Sequence, residues 1–304
     1  MRVALVGTGF WGTHLAAAIG RSSLELAGCW SRDAERRRAL AEKAGCEPAE
    51  SLEAAIEAAD AVVVATANQA HEAHAVAAAQ RGRHVLVEKP IADTLEAGER
   101  IRDACERAGV ALLVGHEFRR LGAARAAKRL VDAGALGRVV LAEANFSLAG
   151  KTPPGSWKEG ERGRPLVQLG IHHADTLAYL LGPVARSTGT WTDDSGIAAL
   201  ELASGARAAI ASSYVSPKTY ALRLLGTEGV LEYRADVSVW PAADRLDELT
   251  TLTLNGEAVA FERVDPLVEE LEELARCARG EAVPETGAAE GLAALKTILD
   301  AVDG

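Results

Sequence analysis

A glycine-rich segment near the start of the chain has the spacing of a dinucleotide-binding turn. Gly7-Thr8-Gly9-Phe10-Trp11-Gly12 follows the first predicted strand, residues 3–6, and begins the first predicted helix. In that context one glycine permits a tight turn, one lets a pyrophosphate approach the backbone, and one lets the helix pack against the strand. The N-terminus of the helix then faces the phosphates. The alternative is a tight turn without a ligand, and the strand–helix alternation that follows favours the cofactor.

The end of the second predicted strand bears on which nicotinamide cofactor binds. NAD-specific sites usually place a carboxylate there for the ribose 2′-hydroxyl, and this chain has Ser31 and Arg32 instead. A hydroxyl and a guanidinium suit a 2′-phosphate, because arginine donates a forked pair of charge-assisted hydrogen bonds. The sequence therefore favours NADP over NAD. In the alternative interpretation, Asp33 caps a helix whose solvated face carries Arg32, Arg36 and Arg37.

Lys89 is a candidate for acid–base chemistry. Hydride transfer between an alcohol carbon and nicotinamide requires a group that takes or gives a proton at the oxygen. Lys89 follows a predicted buried strand and adjoins Glu88, where it would serve as that group or as a cation that stabilises a developing alkoxide. The alternative is a solvated lysine at a strand end. His172 falls within residues 167–181, whose apolar positions have helical spacing, and by itself this pattern favours a histidine buried in the core.

No metal site is expected. His172, His173 and Asp175 do not share one face of a helix, so they do not form a set of three ligands. Cys29, Cys46, Cys105 and Cys277 are scattered, without a C-x-x-C or C-x-x-x-C pair. We expect them to be reduced thiols.

The elements that must position these residues fall into two halves. In the first half, short apolar runs (3–6, 24–30, 61–65, 84–87 and 111–115) alternate with stretches of helical length (11–20, 33–45, 52–59, 70–82 and 94–109), which predicts a doubly wound parallel sheet of the α/β class. In the second half, a helix at 122–133 precedes strand-like runs joined by glycine-containing turns (139–148, 197–202, 206–215, 220–226, 230–234 and 250–254), and helices at 266–279 and 287–302 follow. That half is predicted to be α+β with an antiparallel sheet. The expected domains are 1–118 and 119–304.

Composition excludes several classes of protein. The chain has 304 residues, 48% of them apolar and 25% charged, with a formal net charge of −10. At roughly 150 residues per domain this suits two globular domains. The acidic balance disfavours nucleic acid and anionic membranes as partners. The first residues show no secretion signal and no apolar run approaches the roughly 20 residues of a membrane span, so a cytoplasmic location is expected.

Further motifs make the sequence recognisable as a whole. They are the glycine loop, Ala65-Thr66-Ala67-Asn68-Gln69-Ala70-His71, Val85-Leu86-Val87-Glu88-Lys89-Pro90, Gly115-His116-Glu117-Phe118-Arg119-Arg120, Gly134-Ala135-Leu136-Gly137-Arg138-Val139, Trp157-Lys158 and Gly170-Ile171-His172-His173-Ala174-Asp175. In this order and spacing the chain resembles the Gfo/Idh/MocA family of oxidoreductases, related to glucose–fructose oxidoreductase and inositol dehydrogenase.

The resemblance implies a Rossmann domain followed by an open, mostly antiparallel sheet that forms homo-oligomers. It implies that Lys89 lies beside the nicotinamide and that His172 is the histidine of the family's D-x-x-x-H catalytic pair. It also implies a set of residues that border the cofactor, namely Thr66, Asn68, His71, Glu88, Trp157 and Lys158.

One position departs from the family pattern. Gln168 stands where many relatives have the aspartate of that pair, and an amide orients a hydroxyl but does not relay a proton at neutral pH. Arg119, Gln168 and Asp175 are expected to bind substrate. The resulting expectation is NAD(P)-dependent hydride transfer at a carbinol or carbonyl carbon of a sugar, keto-sugar or cyclitol. Two alternatives are elimination at a glycosidic bond through transient oxidation, and a non-catalytic regulator that binds the cofactor.

Overall fold

The first part of the chain forms a doubly wound parallel sheet. The structure is a computed structural model that describes residues 1–150, 156, 160–237 and 248–304. Strands and helices alternate as β1 (Arg2–Val6), α1 (Phe10–Ile19), β2 (Glu25–Trp30), α2 (Ala34–Ala44), β3 (Glu47–Pro48), α3 (Leu52–Glu57), β4 (Ala61–Val64), α4 (Asn68–Gln80), β5 (His84–Glu88), α5 (Leu95–Ala108) and β6 (Leu112–Gly115). The strands pair in the order β3-β2-β1-β4-β5-β6, all parallel.

Local sequence signals account for these elements. The central strands β1 and β4 consist almost wholly of aliphatic residues and are buried, as expected for a parallel sheet covered on both faces. Asp33, Ser51 and Thr94 cap α2, α3 and α5 by accepting hydrogen bonds from backbone N–H groups one turn into each helix. Gly45 and Gly109 end α2 and α5 in the left-handed conformation.

The second part is built on a larger sheet. It contains a 3-10 turn (Glu117–Arg120), α6 (Gly122–Asp132), β7 (Val139–Ser147), a π-helical turn (Leu166–Gly170), α7 (Ile171–Leu181), β8 (Val184–Trp191), β9 (Ser195–Leu202), β10 (Arg207–Ser213), β11 (Thr219–Gly226), β12 (Val230–Ala235), β13 (Thr250–Leu254) and β14 (Glu257–Ala258), followed by α8 (Pro266–Ala278) and α9 (Ala288–Asp303). The strand order is β14-β13-β12-β11-β7-β10-β9-β8. Among the described strands of this larger sheet, β7 and β10 form the one parallel pair, and the other neighbours are antiparallel.

The larger sheet buries one face and exposes the other. Burial alternates residue by residue along β9, β10 and β12, and the inward side chains form one core with residues of α6 and α7. Asn255 and Gly256 both have positive φ (53° and 85°), which is the backbone of the tight hairpin that their sequence predicts. The predicted fold class, α/β plus α+β, is confirmed, whereas β8 and the π-helical turn were not predicted.

The chain divides into two compact units. One comprises Met1–His116 with Leu267–Leu292, and the other comprises Glu117–Pro266 with Ala293–Gly304. In the first unit the segment 267–292 covers the open edge of β6: the Val114 N–H donates to the Thr286 carbonyl at 2.7 Å, and the Thr286 hydroxyl donates to the Val114 carbonyl at 2.8 Å. The domain limits 1–118 and 119–304 stay a prediction. Over the described ranges, no helix has the length and apolar character to cross a membrane.

Candidate active site

The glycine loop lies where the strand order of the parallel sheet reverses, between β1 and β4. Such a switch point is where open α/β sheets bind their ligands. Gly7 has a φ of +111°, and a Cβ there would stand 2.3 Å from the Ala65 carbonyl oxygen. A Cβ at Gly12 would stand 2.0 Å from the Gly7 carbonyl oxygen, whereas one at Gly9 would meet nothing within 4 Å. Gly7 and Gly12 therefore permit close packing, and Gly9 borders open space.

The helix that begins at this loop offers its N-terminus to an anion. Gly9 is the N-cap of α1 and supplies no side-chain cap, and the first turn contains no acidic residue. Its N–H groups and the positive end of the helix dipole are thus suited to a phosphate. Phe10 is 52% exposed, and its ring packs edge-on against His14 with centroids 4.6 Å apart. The residues present fit a dinucleotide pyrophosphate, with Gly9 as the point of close approach.

The adjoining end of β2 carries hydroxyls and a guanidinium. The Ser31 hydroxyl donates to the Asp33 carbonyl at 3.0 Å, so the Thr8 hydroxyl donates to Ser31 Oγ at 2.8 Å. The Asp33 carboxylate caps α2 by accepting from the Glu35 and Arg36 N–H groups. The proposed capping role of Asp33 is thus present, and the Arg32 side chain next to it is exposed. Because the Asp33 carboxylate is engaged in capping α2, the residues at the end of β2 present no other carboxylate that would repel a ribose 2′-phosphate.

At the carboxyl end of β5 a buried acid adjoins a buried lysine. Glu88 and Lys89 are 5% and 8% exposed, and Glu88 Oε2 accepts from the Lys89 N–H at 3.2 Å. The Lys89–Pro90 peptide is cis. Burial raises the pKa of the Glu88 carboxyl to about 7, against the opposing influence of the Lys89 charge and N–H. Gly115 makes room for this carboxyl, because a Cβ there would lie 3.2 Å from the carboxyl carbon.

His71 joins the loops that follow β4 and β5. Its Nδ1 lies 2.9 Å from the Pro90 carbonyl oxygen and its Nε2 lies 3.1 Å from that of Thr66. Burial lowers the pKa of His71 to about 4, so the neutral ring donates to one carbonyl only. The Thr66 hydroxyl contacts His74 Nδ1 at 3.1 Å, and Asn68, 3% exposed, begins α4. These residues border the same edge of the sheet as the glycine loop, as parallel strands require.

His172 lies in a second cluster, in the unit that contains the larger sheet. Its ring is 2% exposed and packs edge-on against Phe118, with centroids 4.7 Å apart. His172 Nδ1 lies 3.9 Å from Glu117 Oε2, within reach of an ion pair when the ring is protonated. The neighbouring His173 stacks on Tyr220 with centroids 4.4 Å apart, and burial lowers the pKa of His173 to about 4. The adjacent histidines therefore have different surroundings, and His172 is the one for which the described residues give an ion-pair contact with a carboxylate.

Two of the predicted substrate-binding residues pair with each other. Arg119 donates from Nε to Asp175 Oδ2 at 2.9 Å and from Nη2 to Asp175 Oδ1 at 2.5 Å. Both side chains are buried, and the Arg119 guanidinium lies over the Tyr179 ring, 5.1 Å from its centroid. This bidentate geometry ties the turn at Glu117–Arg120 to α7. Contact of either residue with substrate stays a prediction.

Gln168 lies on the π-helical turn and pairs with a carboxylate that sequence reasoning did not single out. Its Nε2 donates to both carboxylate oxygens of Glu161, each at 2.9 Å. Trp157 and Lys158, expected near the cofactor, lie outside the described residues. Among the residues the structure does describe, no group of three or more His, Cys, Asp or Glu side chains is placed to hold a metal ion.

A doubly wound sheet with this glycine loop and a buried Lys-Pro at the end of β5 is typical of nicotinamide-dependent oxidoreductases. Comparison with known proteins agrees. The model of the Gfo/Idh/MocA oxidoreductase family, described as an NAD-binding Rossmann fold, matches residues 1–116, and the model of the family's C-terminal domain matches residues 124–232. The chain belongs to the Gfo/Idh/MocA family and binds NAD(P), so the resemblance drawn from the motifs is confirmed.

Full-length relatives and solved structures resemble the chain. It is 32% identical to D-xylose 1-dehydrogenase (NADP(+)) 2 of Haloferax volcanii, over 98% of this chain and 95% of the relative. It is 28% identical to D-xylose 1-dehydrogenase [NADP(+)] of Haloarcula marismortui, over 98% and 89%. A crystal structure from Desulfitobacterium hafniense, assigned as an NADPH-dependent oxidoreductase, superposes with a TM-score of 0.93 at 33% identity, covering 99% of this chain and 94% of that one.

Proposed function

We propose that the chain is an NADP-dependent dehydrogenase that oxidises the anomeric carbon of an aldose, with a pentose such as D-xylose as the first candidate. The observation that carries the proposal is the buried Lys89 at the end of β5, on the sheet edge that also bears the glycine cradle. The two D-xylose 1-dehydrogenases that resemble the chain over nearly its whole length support an aldose as substrate. They favour net oxidation over elimination and over a regulatory role.

Different residues are proposed to bind the cofactor, to transfer the proton and to bind the substrate. Residues 7–12, Ser31, Arg32, Thr66, Asn68, His71 and Glu88 would hold the cofactor, with Trp157 and Lys158 as further candidates. When bound, NADP+ supplies the ring carbon that accepts the hydride of the sugar. Lys89 would take the hydroxyl proton or stabilise the developing oxyanion, and His172 would serve as the second acid–base group. Arg119, Gln168 and Asp175 are the proposed substrate-binding residues.

Glu88, the residue before Lys89, is a second group that titrates near neutral pH. The Glu88 carboxyl, whose pKa burial raises to about 7, changes protonation state near neutral pH, and it accepts a hydrogen bond from the backbone N–H of Lys89. A carboxyl held at such a pKa takes up or releases a proton at little cost in free energy. We infer that Glu88 takes up or releases a proton near Lys89, at a position where both side chains are shielded from bulk water.

A preference for NADP over NAD rests on Arg32. Its side chain is exposed at the end of β2. Burial of His74, whose ring lies beside Trp30, lowers the pKa of that histidine, and the positive charge of Arg32 lowers it further. A 2′-phosphate bound there would gain a charge-assisted hydrogen bond that the NAD ribose lacks.

The exposed face of the larger sheet supports a homo-oligomer. Leu141 and Ile197 are 37% and 54% exposed on that face. Arg223 lies between Glu143 and Glu232, at 3.5 Å and 3.6 Å, so charges of both signs border the apolar residues. A face that carries apolar groups together with both signs of charge is able to pair with a second copy of itself. The proposed location is the cytoplasm, in keeping with four cysteines that form no disulfide bond.

The test is turnover with a panel of aldoses and cyclitols, followed through the absorbance of the reduced nicotinamide. We expect NADP+ reduction that depends on an aldose, and faster reduction of NADP+ than of NAD+. Lys89→Met should abolish turnover while the Kd for NADP+ stays within about tenfold, or about 1.4 kcal/mol. Wild-type protein inactive with every aldose would overturn the substrate class, and full activity in Lys89→Met would overturn the catalytic role of Lys89.

A further inference from the structure

The pairing of Gln168 with Glu161 fixes which way the Gln168 amide points. A carboxylate accepts hydrogen bonds and an amide has one donor end and one acceptor end. Gln168 Nε2 lies 2.9 Å from both oxygens of Glu161. Reversing the amide would bring its oxygen against two carboxylate oxygens at the same distance. The charge of Glu161 therefore holds the Gln168 oxygen on the side away from Glu161, where it is an acceptor.

The turn that carries Glu161 is anchored, so the carboxylate has a defined position. Arg162, the next residue, forms an ion pair with Asp303 and donates to the Val302 carbonyl. Gly163 has a φ of +63° and packs so closely on Val302 that a Cβ would stand 2.2 Å from its Cγ2 atom. These contacts hold the backbone on the carboxyl side of Glu161 against the end of α9.

The helix turn that carries Gln168 is also fixed on its opposite side. A Cβ at Gly170 would contact Ser212 and Ile210 of β10, and a Cβ at Gly196 of β9 would lie 2.7 Å from the Leu166 side chain. Leu166 and Gly170 thus face the sheet, and Gln168, midway between them, faces Glu161 instead. His172 follows four residues after Gln168 in the same continuous helix, so both side chains lie on neighbouring positions of one helix face.

We propose that Glu161 is a positioning residue for substrate: it orients Gln168 so that the amide oxygen accepts a hydrogen bond from a sugar hydroxyl next to the one on which His172 acts. The inference rests on the proposed function. It gives Gln168 a role that needs no proton transfer, because a fixed acceptor selects a substrate that presents a hydroxyl there. Gln168, which departs from the family pattern, then determines the specificity for substrate, and Glu161 acts through Gln168.

The experiment compares three variants in steady-state kinetics with D-xylose and NADP+. Glu161→Gln removes the charge, so the Gln168 amide adopts both orientations, and the KM for D-xylose should rise about tenfold. The kcat should change less than about threefold, and the KM for NADP+ should not change. Gln168→Glu sets two carboxylates against each other and should raise the KM for D-xylose further. Glu281→Gln, at an exposed glutamate paired with Arg279, is the matched control and should behave as wild type.

The decisive variant exchanges the two side chains. In the double variant Glu161→Gln with Gln168→Glu, the new amide donates to the new carboxylate, whose other oxygen faces the sugar as an acceptor. The KM for D-xylose should return to within about threefold of the wild-type value. A purely structural role predicts lower melting temperatures without rescue of KM.

The outcomes separate this inference from the proposed function. An unchanged KM for D-xylose in Glu161→Gln, with active wild-type protein, overturns the positioning role and leaves the dehydrogenase assignment intact. A double variant no better than the worse single variant overturns it equally. Wild-type protein that oxidises no aldose overturns both proposals.

Discussion

Gly9→Ala separates cofactor binding from folding within the glycine loop. A Cβ at Gly9 meets no protein atom within 4 Å, and the φ of −78° suits alanine. Alanine is a poorer N-cap than glycine by about 1 kcal/mol, and the reduced freedom of the unfolded chain offsets about 0.4–1 kcal/mol of that loss. We therefore expect the free energy of unfolding to change by less than about 1 kcal/mol.

The same methyl group occupies the space into which the pyrophosphate would fit. A phosphate displaced from the first N–H groups of α1 loses hydrogen bonds that are charge-assisted. We expect the Kd for NADP+ to rise at least about tenfold, or about 1.4 kcal/mol, measured by isothermal titration calorimetry. Melting temperature, measured in parallel without cofactor, should stay within a few degrees of wild type.

Gly12→Ala is the matched control for the folding side of this prediction. Its Cβ would stand 2.0 Å from the Gly7 carbonyl oxygen, so the loop and α1 must separate and the melting temperature without cofactor should fall clearly. Wild-type affinity for NADP+ in Gly9→Ala would refute the assignment of Gly9 to the phosphate site. A large loss of stability in Gly9→Ala would refute the claim that the space beside Gly9 is open.

The remaining predictions concern specificity, stability, pH and assembly. Arg32→Glu should lower the ratio of kcat/KM for NADP+ to that for NAD+ at least about tenfold, because a carboxylate repels a 2′-phosphate; an unchanged ratio would exclude Arg32. Arg119→Met should destabilise the protein by about 3–5 kcal/mol in urea unfolding, because the buried Asp175 carboxylate loses its bidentate guanidinium. Between pH 4.5 and about 7 the unfolded chain releases the Glu88 proton while the folded protein keeps it. As the pH rises through this range, Glu88 therefore lowers the free energy of unfolding by an amount that approaches about 3 kcal/mol. Glu88→Gln should remove that part of the pH dependence of the melting temperature. Ile197→Arg should shift an oligomer toward monomer in light scattering, and an unchanged mass would remove the exposed sheet face as the interface.

The fold could be predicted from signals that are local in sequence. The glycine loop, the capping residues and the Asn255-Gly256 turn each specify backbone within a few residues. The alternation of short apolar runs with stretches of helical length predicted the parallel sheet and its helices. β8 was missed because its sequence, with Arg186, Ser187 and Gly189 in the middle, lacks apolar alternation; pairing with β9 makes it a strand.

Side-chain pairs between distant segments could not be predicted from the sequence. Arg119 and Asp175 are 56 residues apart, and their pairing follows from the packing of α7 against the turn at Glu117–Arg120. The sequence around Glu161 did not indicate a role for it, since a glutamate in a charged segment is usually solvated. Only the anchored turn and the π-helical turn bring it to Gln168.

Direct transfer of the hydride tests the central proposal most closely. D-xylose carrying deuterium on its anomeric carbon is incubated with the protein and NADP+, and the reduced cofactor is analysed by mass spectrometry. The proposed function predicts that each NADPH carries one deuterium from the sugar, and that Lys89→Met forms none. Unlabelled NADPH, or no NADPH from any aldose, would contradict it.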